Sequence, residues 1–222
     1  WRHGNTRVNY RRWLNIIELA GLRVELPQVF TDSHNRILDW YQRGWLDGLR
    51  IDHPDGLHDP EQYLQRLRQA APGAWITVEK ILEPVENLPV DWPVAGTTGY
   101  DFLNRVTGLL VDSAGEKPVT DFYAGFTGEP VDYSAIVREK KRQALQQLLP
   151  AEIGRLLRLL QSLAVDETKL QRFTEEQFRE ALVELVADFP VYRTYVQADE
   201  RRVSEEDAHH VAEAIREACR HQ

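Results

Sequence analysis

The sequence predicts an α/β region followed by an all-helical region. Three observations carry this. Nearly all of the 13 Gly and 11 Pro lie before residue 133, and only Gly154, Pro150 and Pro190 come after it. Before that point short β-like runs alternate with helical runs. Beyond it, stretches of helical periodicity follow one another.

Asp32–Arg43 reads as a helix with Ile37, Leu38 and Tyr41 on one face and Gly44 as its stop. Leu46–Asp52 (LDGLRID) is a short apolar run that ends in charge, the pattern of a strand. The following HPDGLHDP is a loop built from Pro, Gly and Asp. Pro60–Ala71 reads as a second helix. Asp59 is its N-cap, Pro60 its first residue, and Tyr63, Leu64 and Leu67 its buried stripe. Pro72 and Gly73 stop it. Ala74–Leu82 (AWITVEKIL) is rich in β-branched and aromatic residues and reads as a second strand. Strand, helix, strand within about 40 residues is a βαβ unit with parallel strands. The pattern leaves an open doubly wound sheet and a closed barrel as alternatives.

The second region carries strong helix formers over Ile136–Leu149 and a leucine-rich period over Ala151–Leu163. Thr174 with Gln177 is a capping box for a helix through Val186, and Ser204 with Asp207 opens one through Arg220. The charge run Arg138–Arg142 is expected to be a solvated helix face.

Composition narrows the function. The six Trp, eight Tyr and seven Phe supply core-forming surface and exclude disorder of the whole chain. Mean hydropathy is −0.48, and no apolar run approaches the roughly 20 residues of a membrane span. A net charge of −8 argues against a nucleic-acid partner, whose backbone calls for clustered Lys and Arg. The absence of Met, even at the first position, leads to the expectation that this is a piece of a longer polypeptide. Cys219 is alone, so no internal disulfide can form, and low cysteine usage fits a cytoplasmic protein.

Two carboxylates stand out. Asp52 ends the first strand and Glu79 lies near the end of the second. Active sites of parallel α/β folds lie at the carboxyl ends of strands, and adjacent strands are about 4.8 Å apart. Two carboxylates projecting there can sit roughly 5 Å apart, the spacing of a retaining glycosidase pair. The alternative is that Asp52 forms a turn and Glu79 is an exposed strand end. Arg50 lies two residues before Asp52, on the same side of the strand, and favours its ionised form. Lys80 is expected to point to the opposite side from Glu79 unless a bulge intervenes. The run DHPDGLHD is dense in Asp and His but matches no strong metal-ligand spacing, so no metal is expected. Gly96–Gly99 (GTTG) matches no phosphate loop; it is a tight turn or a loop of the site, with Tyr100 and Asp101 able to contact a sugar.

GLRIDHPDGL at Gly48–Leu57 resembles the strand-four motif of the α-amylase superfamily (glycoside hydrolase family 13). WITVEKIL at Trp75–Leu82 is similar to its strand-five motif. NYRRW near Asn9, AGLRVELPQVF, VEKILEPVENLPVDWPVAGTTGYDFLN and FPVYRTYV resemble, within that superfamily, the maltooligosyltrehalose synthases.

The resemblance implies an α/β fold: part of a (β/α)8 TIM barrel, residues 1–132, followed by an all-helical insertion subdomain, residues 133–222. It implies Asp52 as nucleophile and Glu79 as general acid/base. Arg50 would be the nucleophile's partner. His53, Lys80, Tyr100 and Asp101 would bind substrate. The implied substrate is a maltooligosaccharide whose reducing-end α-1,4 linkage is isomerised to α,α-1,1, without cofactor or metal. A trehalose-releasing partner enzyme is implied too. The family's third carboxylate, an Asp in a His-Asp motif, has no match, since His58–Asp59 belongs to the strand-four loop. The chain is therefore expected to be inactive alone. An α-1,4-glucan hydrolase, a non-catalytic glucan-binding fragment and a metal-dependent barrel hydrolase are the competing expectations.

Overall fold

The computed structural model describes residues 3–5, 7–84, 86–165, 170–197 and 202–221. In chain order the elements are β1 (Arg12–Trp13), β2 (Ile16–Ala20), α1 (Pro27–Gln42), β3 (Gly48–Ile51), α2 (Pro60–Ala70), β4 (Trp75–Val78) and β5 (Gly96–Thr97). Then come α3 (Tyr100–Gly108), α4 (Glu116–Thr127), α5 (Tyr133–Gln147), α6 (Pro150–Ala164), α7 (Glu175–Ala187) and α8 (Glu205–Arg220). They form two compact units. One comprises Leu22–Gly115 and Val191–Arg202, the other Trp1–Gly21, Glu116–Pro190 and Val203–Gln222.

The first of these is an α/β unit. β3, β4 and β5 make a parallel sheet in that order, with Gly48 opposite Trp75 and Ile51 opposite Val78. The expected βαβ unit is present, with α2 as the crossover. Asp59 caps α2 by accepting from the Gln62 amide at 2.9 Å, and Pro60 occupies its first turn. Tyr63, Leu64 and Leu67 are buried, as their spacing requires, against Ile76 and Val78 of β4 and against Phe30 and Trp92. Arg68 closes the C-terminal end of α2. Its guanidinium donates to the carbonyls of Ala74 at 2.7 Å and Pro93 at 2.9 Å. Among the described residues this sheet has three strands and does not close on itself.

Three local expectations differ from the structure. α1 begins five residues earlier than expected, because Pro27 fits the first turn and Leu26 is extended before it. Its buried anchor is Phe30, whereas Ile37 is 39% exposed. The second strand stops at Val78, so Glu79 and Lys80 lie just beyond it. Gly96–Thr97, expected to belong to a tight turn or loop, form the short strand β5; two residues carry no periodicity to signal it.

The second unit holds a hairpin, β1–β2, and the helices α4 to α8. Arg12 in β1 is buried and makes a bidentate pair with Glu152 of α6, at 2.7 and 2.9 Å. Leu145, Ile153, Val183 and Ala187 form the core of α5, α6 and α7. The capping box of α7 forms as read, with Thr174 and Gln177 each satisfying the other's backbone amide. Ser204 caps α8 through the Asp207 amide. The charge run on α5 is a solvated face only in part: Glu139, Lys140 and Lys141 are exposed, while the two arginines turn toward α7. Arg138 and Arg142 both pair with the buried Glu184, Arg138 also meets Asp188 at 2.9 Å, and Lys141 donates to the Phe189 carbonyl at 3.0 Å. Placed four apart, the two arginines share one face of α5, and Glu184 of α7 with Asp188 just beyond its end offers that face two carboxylates. Among the described residues no helix is long and apolar enough to cross a membrane.

Candidate active site

The site is built by the parallel register. Ile51 and Val78 are paired, and the ladder continues one step, with the Glu79 amide donating to the Ile51 carbonyl at 2.8 Å. Asp52 and Glu79 therefore occupy equivalent positions at the carboxyl ends of neighbouring strands. The chain then turns sharply at His53, whose φ of 43° is left-handed, and enters the 3-10 turn Pro54–Gly56. That turn aims the His53 amide at Glu79, which accepts from it through Oε2 at 3.0 Å.

Arg50 donates from Nη1 to Asp52 Oδ1 at 2.6 Å, as the i, i+2 spacing in a strand predicts. Both side chains are exposed. The hydrogen bond to Asp52 raises the Arg50 pKa above its ordinary value; burial opposes it, and the charges of Asp52, Glu79 and Tyr100 reinforce it. Arg50 thus feels both carboxylates and the first residue of α3. Glu79 is half-buried.

His53 Nε2 lies 3.1 Å from the Tyr192 hydroxyl, with the rings edge to face. The close packing demands Gly56, since a Cβ there would fall 2.4 Å from His53 Nδ1. Tyr100 and Asp101 open α3, behind a loop tied to β4 by the Thr98 amide, which donates to the Val78 carbonyl at 2.9 Å. Tyr100 is 38% exposed. Asp101 accepts from the Thr97 hydroxyl at 2.7 Å, and that bond holds its carboxyl below the usual range, with desolvation opposing it.

Lys80 is the residue whose surroundings differ from the expectation. Its side chain does point away from solvent, but it is fully buried and pairs with Glu86 at 2.5 Å and Asp55 at 3.2 Å. It has no surface to offer a sugar. The Asp/His-dense run disperses among separate partners: Asp52 to Arg50, His53 to Tyr192, Asp55 to Lys80, and Asp59 to its helix cap. Among the described residues no group of three His, Cys, Asp or Glu is placed to hold a metal ion. Sequence reasoning gave no role to Tyr192, Arg193, Tyr195 or Glu86. FPVYRTYV was read only as a resemblance, and nothing in its spacing signals a return to the loop after β3.

No family model matches the chain. A Mycobacterium tuberculosis H37Rv protein named maltooligosyl trehalose synthase is 42% identical over 165 residues. That alignment covers 74% of this chain and 21% of the relative. The structure of maltooligosyltrehalose synthase from Arthrobacter ramosus superposes with a TM-score of 0.82 at 40% identity, over 100% of this chain and 27% of that one. The chain is homologous to one segment of the maltooligosyltrehalose synthases. The crystal structure of a hypothetical maltooligosyl trehalose synthase from Sulfolobus tokodaii matches with a TM-score of 0.75 at 33% identity, over 98% of this chain and 27% of that one. This chain thus spans about a fifth of the length of the curated maltooligosyltrehalose synthases it matches.

Proposed function

We propose that this segment supplies the nucleophile and the general acid/base of a maltooligosyltrehalose synthase. Asp52 and Glu79, at equivalent ends of two parallel strands, are the observation that carries the reading. In the first step Glu79 protonates the glycosidic oxygen of the reducing-end glucose while Asp52 attacks the neighbouring anomeric carbon. A covalent glycosyl-enzyme forms, with Arg50 beside the attacking carboxylate. The released glucose stays and turns. Glu79, now the base, takes the proton from its anomeric hydroxyl, which attacks the glycosyl-enzyme. Two inversions keep the α configuration, and the product ends in an α,α-1,1 linkage. Water must be excluded during the turn, or the intermediate hydrolyses.

On this reading β3 and β4 are strands four and five of a (β/α)8 barrel that further chain completes. The exposed apolar side chains support it. On α3, Phe102 and Leu103 are 68% and 55% exposed, and on α4 Phe122 and Phe126 are 72% and 79% exposed. On each helix, large apolar side chains exposed to this extent are surface that other structure covers. The segment by itself is then inactive. The location is cytoplasmic, and the product suits an enzyme that releases trehalose.

Trapping tests the chemistry. The polypeptide containing this chain, with Glu79→Gln, is incubated with α-maltosyl fluoride, which needs no acid to leave. A mass gain on the peptide that holds Asp52 is expected. A gain located on another peptide, or none, contradicts the assignment.

A further inference from the structure

Lys80 heads the fully buried side chains by volume, which is unusual for an amine. Its ammonium lies between two carboxylates that come from different loops. Asp55 belongs to the turn after β3, and Glu86 to the segment after β4. Each carboxylate is fixed by a second donor. The Tyr195 hydroxyl donates to Asp55 Oδ1 at 2.5 Å, and the Glu83 amide donates to Glu86 Oε2 at 3.2 Å. Arg193 Nη1 donates to the carbonyls of Asp55 and Leu57, at 3.0 and 2.7 Å. Its guanidinium covers the Tyr195 ring, 5.1 Å from the centroid, the Lys80 ammonium lies 5.7 Å from the same centroid, and Trp92 meets the ring edge to face at 5.3 Å.

A buried ion pair is a poor source of net stability, because desolvation offsets most of the attraction. What it supplies here is position. Lys80 is covalently next to Glu79, and Asp55 is three residues beyond Asp52. The buried bridge therefore ties together the two segments that carry the reacting carboxylates. The bond from the His53 amide to Glu79 spans the same gap.

We propose that Lys80 is a positioning residue that sets the separation of Asp52 and Glu79, acting through Asp55 and Glu86, with Tyr195 locking the Asp55 carboxylate. This rests on the reading of Asp52 and Glu79 as the reacting pair. A retaining pair works only at a narrow spacing, roughly 5 to 5.5 Å, so a clamp below it controls the rate more than substrate binding.

The experiment uses the polypeptide containing this chain. Lys80→Met removes the clamp's cation and leaves Asp55 and Glu86, both buried, without its charge. Tyr195→Phe is the milder variant and keeps the ring against Trp92. For Tyr195→Phe the expected result is a kcat about tenfold lower with KM changed less than about twofold. Hydrogen exchange should quicken at residues 52–57 and 79–84 and nowhere else. Lys80→Met, assayed per folded molecule, should lose about a hundredfold in kcat. If Lys80→Met does not fold, Tyr195→Phe decides the matter. Unchanged kcat and exchange in Tyr195→Phe overturn the proposal, as does exchange that quickens uniformly, which marks a general loss of stability. Should the unsubstituted polypeptide make no α,α-1,1 product, the assignment of function fails, and the localised exchange still tests the clamp.

Discussion

The Glu79 carboxylate accepts a hydrogen bond from the backbone amide of His53, the residue that follows Asp52. That single bond joins the ends of β3 and β4 beyond the last ladder bond and brings the two carboxylate-bearing segments to one edge. It depends on the left-handed backbone of His53, whose ring packs against the space left by Gly56.

Gly56→Ala should displace the His53 ring, because the new Cβ would meet Nδ1 at 2.4 Å and Cε1 at 2.8 Å. The contact of His53 with Tyr192 goes with it. The expected cost is about 1–3 kcal/mol of stability and a KM raised several-fold, checked by urea unfolding and steady-state kinetics. A variant as stable and as active as the parent would show that the ring has another place to go.

Gly48→Ala strains backbone instead. Its Cβ would lie 2.7 Å from the Trp75 carbonyl oxygen, inside the β3–β4 ladder. No rotamer change relieves that contact, so the sheet must open. A drop of several degrees in Tm, larger than for Gly56→Ala, is expected from thermal unfolding by circular dichroism.

How much of this was legible in the sequence divides along physical lines. The strand–helix–strand order, the Asp59 cap and the Arg50–Asp52 pair follow from period and local spacing, and all appear where the residues put them. The capping box at Thr174 is equally local. Contacts between distant segments were not legible. Lys80 faces inward because Glu86 and Asp55 wait there, and the partners of Arg138 and Arg142 lie some 45 residues away on α7. The short β5 and the docking of Tyr192 and Tyr195 carry no periodic mark.

Asp59 forms the one His-Asp pair of the chain with His58, yet its carboxylate caps α2. Asp59→Ala should cost about 1 kcal/mol and leave kcat within about twofold of the parent. A loss of a thousandfold in kcat with unchanged stability would instead make Asp59 part of the catalytic apparatus.

His34 gives a pH signature to the fold. Burial lowers its pKa from the ordinary 6.5, while its bond to the Phe30 carbonyl opposes that shift, and Nε2 meets the Tyr63 hydroxyl at 2.8 Å. Burial also pushes the Tyr63 hydroxyl up to about 12. Because the unfolded chain takes up a proton at His34 before the folded one does, stability rises with pH through this region. The contribution is complete above 6.5 and is lost as pH falls toward the lowered folded value. Comparing urea midpoints of the parent and His34→Gln between pH 5 and 8 should show a steeper decline on acidification in the parent. Parallel curves would remove His34 from the account.

The most direct test of the central claim is an NMR time course of maltopentaose with the polypeptide containing this chain, beside its Asp52→Asn and Glu79→Gln variants. The account predicts loss of the reducing-end anomeric signals and growth of an α,α-1,1 signal in the parent, with neither change in the variants. Growth of that signal in the Asp52→Asn variant, or release of reducing sugar alone by the parent, would contradict it.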